Sequence, residues 1–382
     1  MRRYLSATPK NKRVQRFDAV IVGAGPAGAA TALTLAKAGQ RVLLADAASK
    51  AFRIGEGLPP SARSLLRELG VLEGFLADGH RLSHGSLSAW GSAQLHCQDF
   101  FRHLQGQGYQ LDRRRFEQLL WVAACAAGAE LRQDTRIEVL AHPPGQDFAL
   151  NAHQSGLTVP LQCRWLVDAG GRRSRIARGQ GSTRVAADRL AAFYSVLQTT
   201  EAGDYDGRTW LEATPAGWWY SALLPTGGRL VAYLTDLDLA DKRQLLSVAG
   251  FTGHLAQTRH LSALCAQYRY AVCTKPQGVD ASSGRLDQFI GRQWLAVGDA
   301  ALSFDPLSSQ GIANALYTGI QAGQAITAAL NGNPAAPAAY ARHLGDIYQA
   351  YLQNRHYYYG LENRWAELPF WRRRGVVTAL TG

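Results

Sequence analysis

Cysteine is scarce in this 382-residue chain: Cys97, Cys125, Cys163, Cys265 and Cys273 are scattered, with no C-x-x-C spacing and no histidine ladder beside them. An odd, dispersed set argues against a disulfide framework and against a zinc site, and it reads as small buried or half-buried thiols in a reducing compartment. Long apolar runs are missing as well. Each is broken by Gly, Arg or Asp before the roughly 18 residues that a membrane helix needs. The basic N-terminal segment MRRYLSATPKNKRVQR has no apolar core of a secretory signal. A cytoplasmic location without membrane association is the expectation. Acidic residues are outnumbered, 29 against 41 Lys and Arg, for a net charge of +12. That field favours anionic ligands and acidic partners. It is not accompanied by zinc-finger spacing, an RNP-like sequence or a clear helix-turn-helix, so nucleic acid is not an expected partner.

What is present is an ordinary globular balance, 47% hydrophobic and 18% charged, in a chain long enough for two core-bearing domains. Residues 17–22, FDAVIV, form an apolar run of strand length. GAGPAG follows from Gly23 to Gly28, then the helical stretch AATALTLAKAG, then a second buried-strand pattern, RVLLAD, ending at Asp46. This is the order of a dinucleotide-binding βαβ unit. Gly23 permits the tight turn, Gly25 lets backbone approach a pyrophosphate, and Gly28 allows close packing of helix on strand. Pro26 and Ala27 open the helix whose N–H groups face the phosphates. Asp46 is placed for the ribose hydroxyls.

The second half of the chain decides which dinucleotide. In VGDAALSFDPLSSQGI, Gly298 and Asp299 follow a strand, where the acid can bond the ribityl or phosphate part of an extended cofactor. Pro306 and Gln310 lie in the loop that feeds a helix starting near Gly311 and Ile312. That helix N-terminus suits the N1–C2=O edge of a flavin, where the reduced ring carries negative charge. The cofactor expected is therefore FAD. A second glycine motif for a nicotinamide is lacking, so NAD(P)H, if it is the electron donor, docks transiently; a separate reductase is the alternative.

GAGPAG, the LDR at 111–113, DAGGRRS at 168–174 and GDAA…DP…QGI together resemble the flavoprotein superfamily of the p-hydroxybenzoate hydroxylase-like enzymes, the geranylgeranyl reductases and the flavin-dependent halogenases. The resemblance implies that Arg113 reaches the FAD phosphates or ribityl chain and that Asp168 and Gly170 lie under the cofactor. Gly170 stands where the hydroxylase branch carries an acid, which weakens hydroxylase-type NAD(P)H docking. IGEGLPP resembles the halogenase segment that lies against the flavin ring, which places Arg53, Gly55 and Glu56 there. A halogenase then carries a catalytic lysine, yet this chain has no lysine between Lys50 and Lys242, and its WxWxIP pattern is replaced by GWWYSALLP. RIGEGLPPSARSLLRELG, LSAWGS and YQLDRRRF are most similar to a narrower group, the flavoproteins that mature tryptophylquinone enzymes such as lysine ε-oxidase and glycine oxidase.

The expected fold is α/β, a Rossmann-like FAD-binding domain of the p-hydroxybenzoate hydroxylase type with an inserted β-rich substrate domain and a helical C-terminus. The FAD domain is discontinuous, at 1–82, 104–180 and 285–330; the substrate domain takes 83–103 and 181–284, and the C-terminal helical region 331–382. The expected function is monooxygenation: reduced flavin and O2 as co-substrate give a C4a-hydroperoxide that hydroxylates an electron-rich ring. The resemblance implies a tryptophan in the precursor of a quinone-cofactor oxidase. Glu56 and His84 are the candidate acid–base residues, and Trp210, Trp218, Trp219 and Tyr220 the candidate aromatic pocket; core packing is the rival reading of those aromatics. No metal is expected. RHYYYG (355–360) and FWRRRG (370–375) are candidates for a docking surface, or for solvated arginines beside core aromatics. Three other functions stay open: a geranylgeranyl-reductase-like flavin reductase, a non-catalytic flavoprotein assisting partner maturation, and an oxygenase of a free small aromatic.

Overall fold

The computed structural model describes residues 14–47, 54–100, 104–201 and 203–375. The chain begins with strand β1 (Gln15–Val22), crosses helix α1 (Pro26–Lys37) and returns as strand β2 (Val42–Ala45). Helix α2 (Arg113–Ala126) and the long strand β3 (Leu157–Asp168) follow. Strands β4 (Leu190–Gln198), β5 (Thr209–Thr214), β6 (Gly217–Leu223) and β7 (Arg229–Asp236) come next. Strand β8 (Trp294–Ala296) precedes the helices α3 (Gly311–Leu330), α4 (Ala336–Gly360) and α5 (Pro369–Gly375).

The first of two large sheets has a parallel centre. β1 pairs with β2 on one side and β3 on the other, β2 pairs with Glu130–Arg132, and β3 pairs with β8. The carboxyl half of β1 (Ala19–Val22) and all of β2 read as unbroken apolar runs because helices cover both faces of a parallel sheet. Since β2 and β3 lie on opposite sides of β1, the strand order reverses there, and a crevice opens outside the carboxyl ends. Helix α1 starts at Pro26, which has no N–H to lose at that position. Its small residues let α3 approach closely: a Cβ on Gly319 would stand 2.4 Å from the Ala27 carbonyl oxygen.

The second sheet is assembled from distant stretches. β4, β7, β6 and β5 pair antiparallel in that order, Gln277–Asp280 pairs with β4, and Gly85–Ala89 adds to β5 in parallel. Its two faces carry separate cores. On one, Trp218, Leu230, Leu234, Leu190 and Tyr194 meet Tyr359, Phe370 and Trp371 of the C-terminal helices. On the other, Trp219, Phe193, Val231 and Tyr233 meet Phe251, Leu255 and Leu261. Successive side chains of a strand face opposite ways, so Trp218 and Trp219 are necessarily split between the two cores. Among the described residues no helix is long and apolar enough to cross a membrane, and no group of three His, Cys, Asp or Glu side chains is arranged to hold a metal ion.

Candidate functional site

A cleft of about 1350 Å³ runs between the two sheets. Ligand pockets are usually roughly 300–1,000 Å³, so this one has room for a large cofactor and a second ring system together. One wall is made by the carboxyl ends of the parallel strands: Val22 to Ala27 after β1, Asp46 after β2, Asp168 to Arg173 after β3, and Val297 and Asp299 after β8. The opposite floor is a face of the second sheet. There Ala192, Ala232, Leu234, Val279 and Ala281 are small or apolar, and Tyr220 brings a hydroxyl. Cross-strand register sets Tyr220 beside Ala232 and Ala232 beside Tyr194, so two phenols flank one alanine.

The glycine turn is shaped for a phosphate. Gly23 has φ +111°, and a Cβ on it would meet the Ala169 carbonyl oxygen at 2.3 Å. A Cβ on Gly28 would stand 1.9 Å from the Gly23 oxygen, which is how closely α1 seats on the turn. Gly25 faces open space, with nothing within 4 Å of such a Cβ. The turn is pinned from behind by Trp121, whose indole N–H donates to the Ala24 carbonyl at 2.6 Å. Replacing Gly28 by valine is expected to lift α1 from the turn, destabilise the protein by about 1–3 kcal/mol or more, and leave it without bound cofactor. Flavin absorbance per protein and a thermal melt measure both effects.

Around the opposite end of the turn, charged side chains are held by one another. Arg113 donates to the Gly55 carbonyl at 2.7 Å and to Glu117 at 2.8 Å, which fixes the segment before Glu56. Asp168 accepts from Gly170 N–H and Ala177 N–H, both at 2.9 Å, so its carboxylate caps the turn after β3; burial raises its pKa against those bonds. Arg172 lies 3.3 Å from Asp299 and donates to the Phe304 carbonyl. Arg136, Arg173 and Arg175 give the cleft an exposed basic rim.

Glu56 stands apart. It lines the cleft, is 1% exposed, and neither carboxylate oxygen has a hydrogen-bond partner of ordinary geometry. Burial pushes its pKa up to about 7, offset in part by the Arg113 guanidinium and the nearby N–H groups of Gly55 and Glu56. A carboxyl that titrates at neutrality can take or give a proton there. Burial raises the Tyr220 phenol too, with Glu56 adding to the effect.

Of the residues expected from sequence, Gly23, Gly25, Pro26, Ala27, Asp46, Gly55, Glu56, Arg113, Asp168, Gly170, Asp299, Pro306, Gly311, Ile312 and Tyr220 all line this cleft. Gly28 and Gly298 sit behind it; a Cβ on Gly298 would come 2.7 Å from that of Ala27. Gln310 is exposed at the start of α3 and does not line the cleft, and Arg53 lies outside the described residues. His84 is exposed in a separate small pocket with His80, Arg81 and Tyr205. Trp218 and Trp219 are 0% and 1% exposed within the two cores, and neither lines the cleft. Trp210 packs on the core away from it and donates to Asp206 at 3.0 Å. Only Tyr220 of that aromatic set reaches the cleft, because alternation turns Trp219 away and the C-terminal helices cover Trp218. The floor alanines and Asp305 were not singled out from sequence: small residues carry no chemical signature, and Asp305 differs from other loop acids only through partners far along the chain.

These features fit FAD: a phosphate turn open at Gly25, an acid at the end of β2, a helix N-terminus at Gly311, and an unpartnered buried carboxyl between them. The model of the FAD binding domain family matches residues 16–351. The chain belongs to that family. LodB of Marinomonas mediterranea, described as an FAD-dependent oxidoreductase, is 29% identical over 96% of this chain and 99% of its own. A 1H-pyrrole-2-carbonyl-[peptidyl-carrier protein] brominase of Pseudoalteromonas luteoviolacea is 26% identical over 83% of this chain and 79% of its own. In fold, the myxobacterial halogenase CndH superposes with a TM-score of 0.85 at 21% identity, over 96% of this chain and 87% of CndH. QhpG, a peptidyl tryptophan dihydroxylase essential for tryptophylquinone cofactor biogenesis, superposes with 0.74 at 24% identity, over 96% of this chain and 80% of QhpG. The chain is thus a member of the FAD binding domain family and shares the fold of these flavoenzymes.

Proposed function

We propose that this protein is an FAD-dependent monooxygenase that hydroxylates an electron-rich aromatic ring, a tryptophan side chain in the precursor of a quinone-cofactor oxidase. The observation that carries the reading is Glu56: a buried carboxyl without partners, poised near neutrality, beside a small-residue floor able to take a planar ring. The fold shared with a peptidyl tryptophan dihydroxylase supports a protein-borne ring. Lysine is absent from the cleft lining among the described residues, which favours oxygenation over halogenation.

Overall, Ar–H, O2, two electrons and two protons give Ar–OH and water, the electrons coming from NAD(P)H or a separate reductase. Bound FAD supplies oxygen activation and delivery of an electrophilic oxygen atom. The chain does the rest. The turn from Gly23 to Gly28 and the start of α1 hold the pyrophosphate, with Asp46 on the ribose and Arg113 beside the linker. The apolar floor positions the ring and keeps water out. Ionised Glu56 takes the proton that the ring carbon gives up as C–O replaces C–H.

The reading is tested by mixing the chemically reduced protein with O2 and following absorbance, with and without candidate proteins bearing an accessible tryptophan. A transient phase between the reduced and oxidised spectra is expected, decaying faster with the substrate, whose mass rises by one or two oxygen atoms. Single-step reoxidation under every condition, with no mass change, would sink it.

A further inference from the structure

The loop that carries the cleft wall into α3 is held from outside as well as by its own turn. Phe304, Asp305 and Pro306 all line the cleft, yet Asp305 is 2% exposed and its carboxylate points away, into the C-terminal helices. Its Oδ1 caps the following turn, accepting from Leu307 N–H at 2.9 Å. Its Oδ2 accepts from the Tyr359 hydroxyl at 2.8 Å, with the Arg355 Nε 3.7 Å away. Its backbone N–H donates to the Tyr351 hydroxyl at 2.9 Å, and the Tyr351 ring stacks on Phe304 at 4.4 Å and 12°.

Tyr351, Arg355 and Tyr359 follow one another at i, i+4 and i+8 on α4, so one helical stripe supplies all three contacts. That stripe is anchored in turn to the second sheet and to the segments that flank its strands. Trp218 N–H donates to the Tyr359 hydroxyl at 3.0 Å, Arg355 pairs with Asp188 at 2.9 Å, and Tyr351 bonds the Ser283 hydroxyl at 2.5 Å. The 2% exposed Tyr359 phenol is thus the middle of a chain from the sheet floor, through α4, to the loop that starts α3.

We infer that Tyr351, Arg355 and Tyr359 are positioning residues that act through Asp305 to set the loop from Phe304 to Gly311, and with it the N-terminus of α3 against the flavin ring. The consequence is electrostatic. A helix N-terminus stabilises negative charge within about its first turn, so a small shift of α3 weakens both cofactor binding and the stabilisation of reduced flavin. The inference rests on FAD occupying this cleft and does not depend on hydroxylation.

The test uses the holoprotein without any substrate. Tyr359→Phe removes one hydroxyl from a buried carboxylate; such bonds support roughly a tenfold change in an equilibrium constant. FAD is expected to bind about tenfold more weakly to Y359F, and the flavin to become harder to reduce. Tyr270→Phe is the control. Its hydroxyl also donates to the aspartate of a buried aspartate–arginine pair, Asp204 with Arg229, on the face of the sheet away from the cleft. Y270F is expected to lower the melting temperature while leaving FAD affinity and reduction potential as in the parent. Should Y359F fail to fold, Tyr351→Phe makes the same prediction from the other side of Asp305. If Y359F or Y351F binds FAD within twofold of the parent, with an unchanged potential, these tyrosines only hold the fold and the inference is wrong. Because no substrate enters, that failure is separate from a failure of the oxygenase reading.

Discussion

Replacing Glu56 by glutamine is expected to slow product formation by about 100- to 10,000-fold, the usual contribution of a positioned acid–base group, while the protein keeps its fold and its flavin. Glutamine has nearly the same shape but cannot accept a proton at neutral pH. In the parent, product formation should rise with pH through an ionisation near 7, because the working form is the carboxylate and burial has brought its pKa up to about 7. In E56Q that rise should vanish. Stability should change with pH in the opposite sense. An unfolded glutamate releases its proton near the ordinary value of 4.5, whereas the folded protein retains it up to about 7, so the folded state binds more protons between the two. Stability conferred by the neutral carboxyl is therefore full below pH 4.5 and is lost as pH rises through 7, by about 3 kcal/mol. Urea denaturation of the parent at pH 5 and pH 8 should show the fall, and E56Q should flatten it. A parent whose rate ignores pH between 6 and 8 would remove Glu56 from the mechanism.

Arg229→Ala should destabilise the protein by about 3–5 kcal/mol, the cost of stranding a buried charge. Arg229 is completely buried on β7 and donates to Asp204 from Nε at 3.0 Å and from Nη2 at 2.7 Å, with Ser221 and Tyr270 completing the cluster. Without the guanidinium, Asp204 is left as an uncompensated carboxylate inside the protein. The loss should come from that stranded charge and not from a missing attraction. Arg229→Met combined with Asp204→Leu and Tyr270→Phe removes both charges and the phenol, leaves only the small Ser221 hydroxyl of the cluster, and should recover most of the stability. A triple variant as unstable as R229A would mean that the side chain's packing, and not its charge, is what matters. Neither change should alter the flavin spectrum, since the cluster faces away from the cleft.

The FAD half of the molecule was readable because its chemistry is contiguous. Strand, glycine turn, helix and acid follow in one stretch, and two of its glycines have the local geometry that the pattern implied: Gly23 takes a positive φ, and Gly28 packs where a Cβ would clash. The second sheet was not readable in the same way. GWWYS shows aromatics in a strand but not which face meets which partner, and the faces are decided by helices supplied from 242–267 and from the C-terminus. Hence Trp218 and Trp219 lie in cores and Tyr220 in the cleft. His84 offered a suitable ring in the right region, but it stands in the link between Arg81–Ser83 and Gly85–Ala89, on the outside of the molecule. Asp305 sits inside a recognisable motif, while its distinguishing partner, Tyr359, stands inside RHYYYG; of the two readings of that segment, docking surface or solvated arginines beside core aromatics, the core aromatic is present as the buried Tyr359, next to exposed Tyr357 and Tyr358, whereas Arg355 is paired and not solvated.

Strand Gly85–Ala89 joins the second sheet beside β5, with Ser86 opposite Thr209. On the ribosome this strand emerges long before its neighbour, and in the meantime its open edge has nothing of its own sheet beyond His96–Asp99 to pair with. Late closure of distant pairs is slow and leaves such edges exposed to other chains. Successful production of this flavoprotein should therefore depend on how quickly the segment up to Asp280 is delivered. A fragment ending before Thr209 should aggregate even though it contains the whole glycine turn, and a split or permuted version would have to break the chain elsewhere than between these two strands.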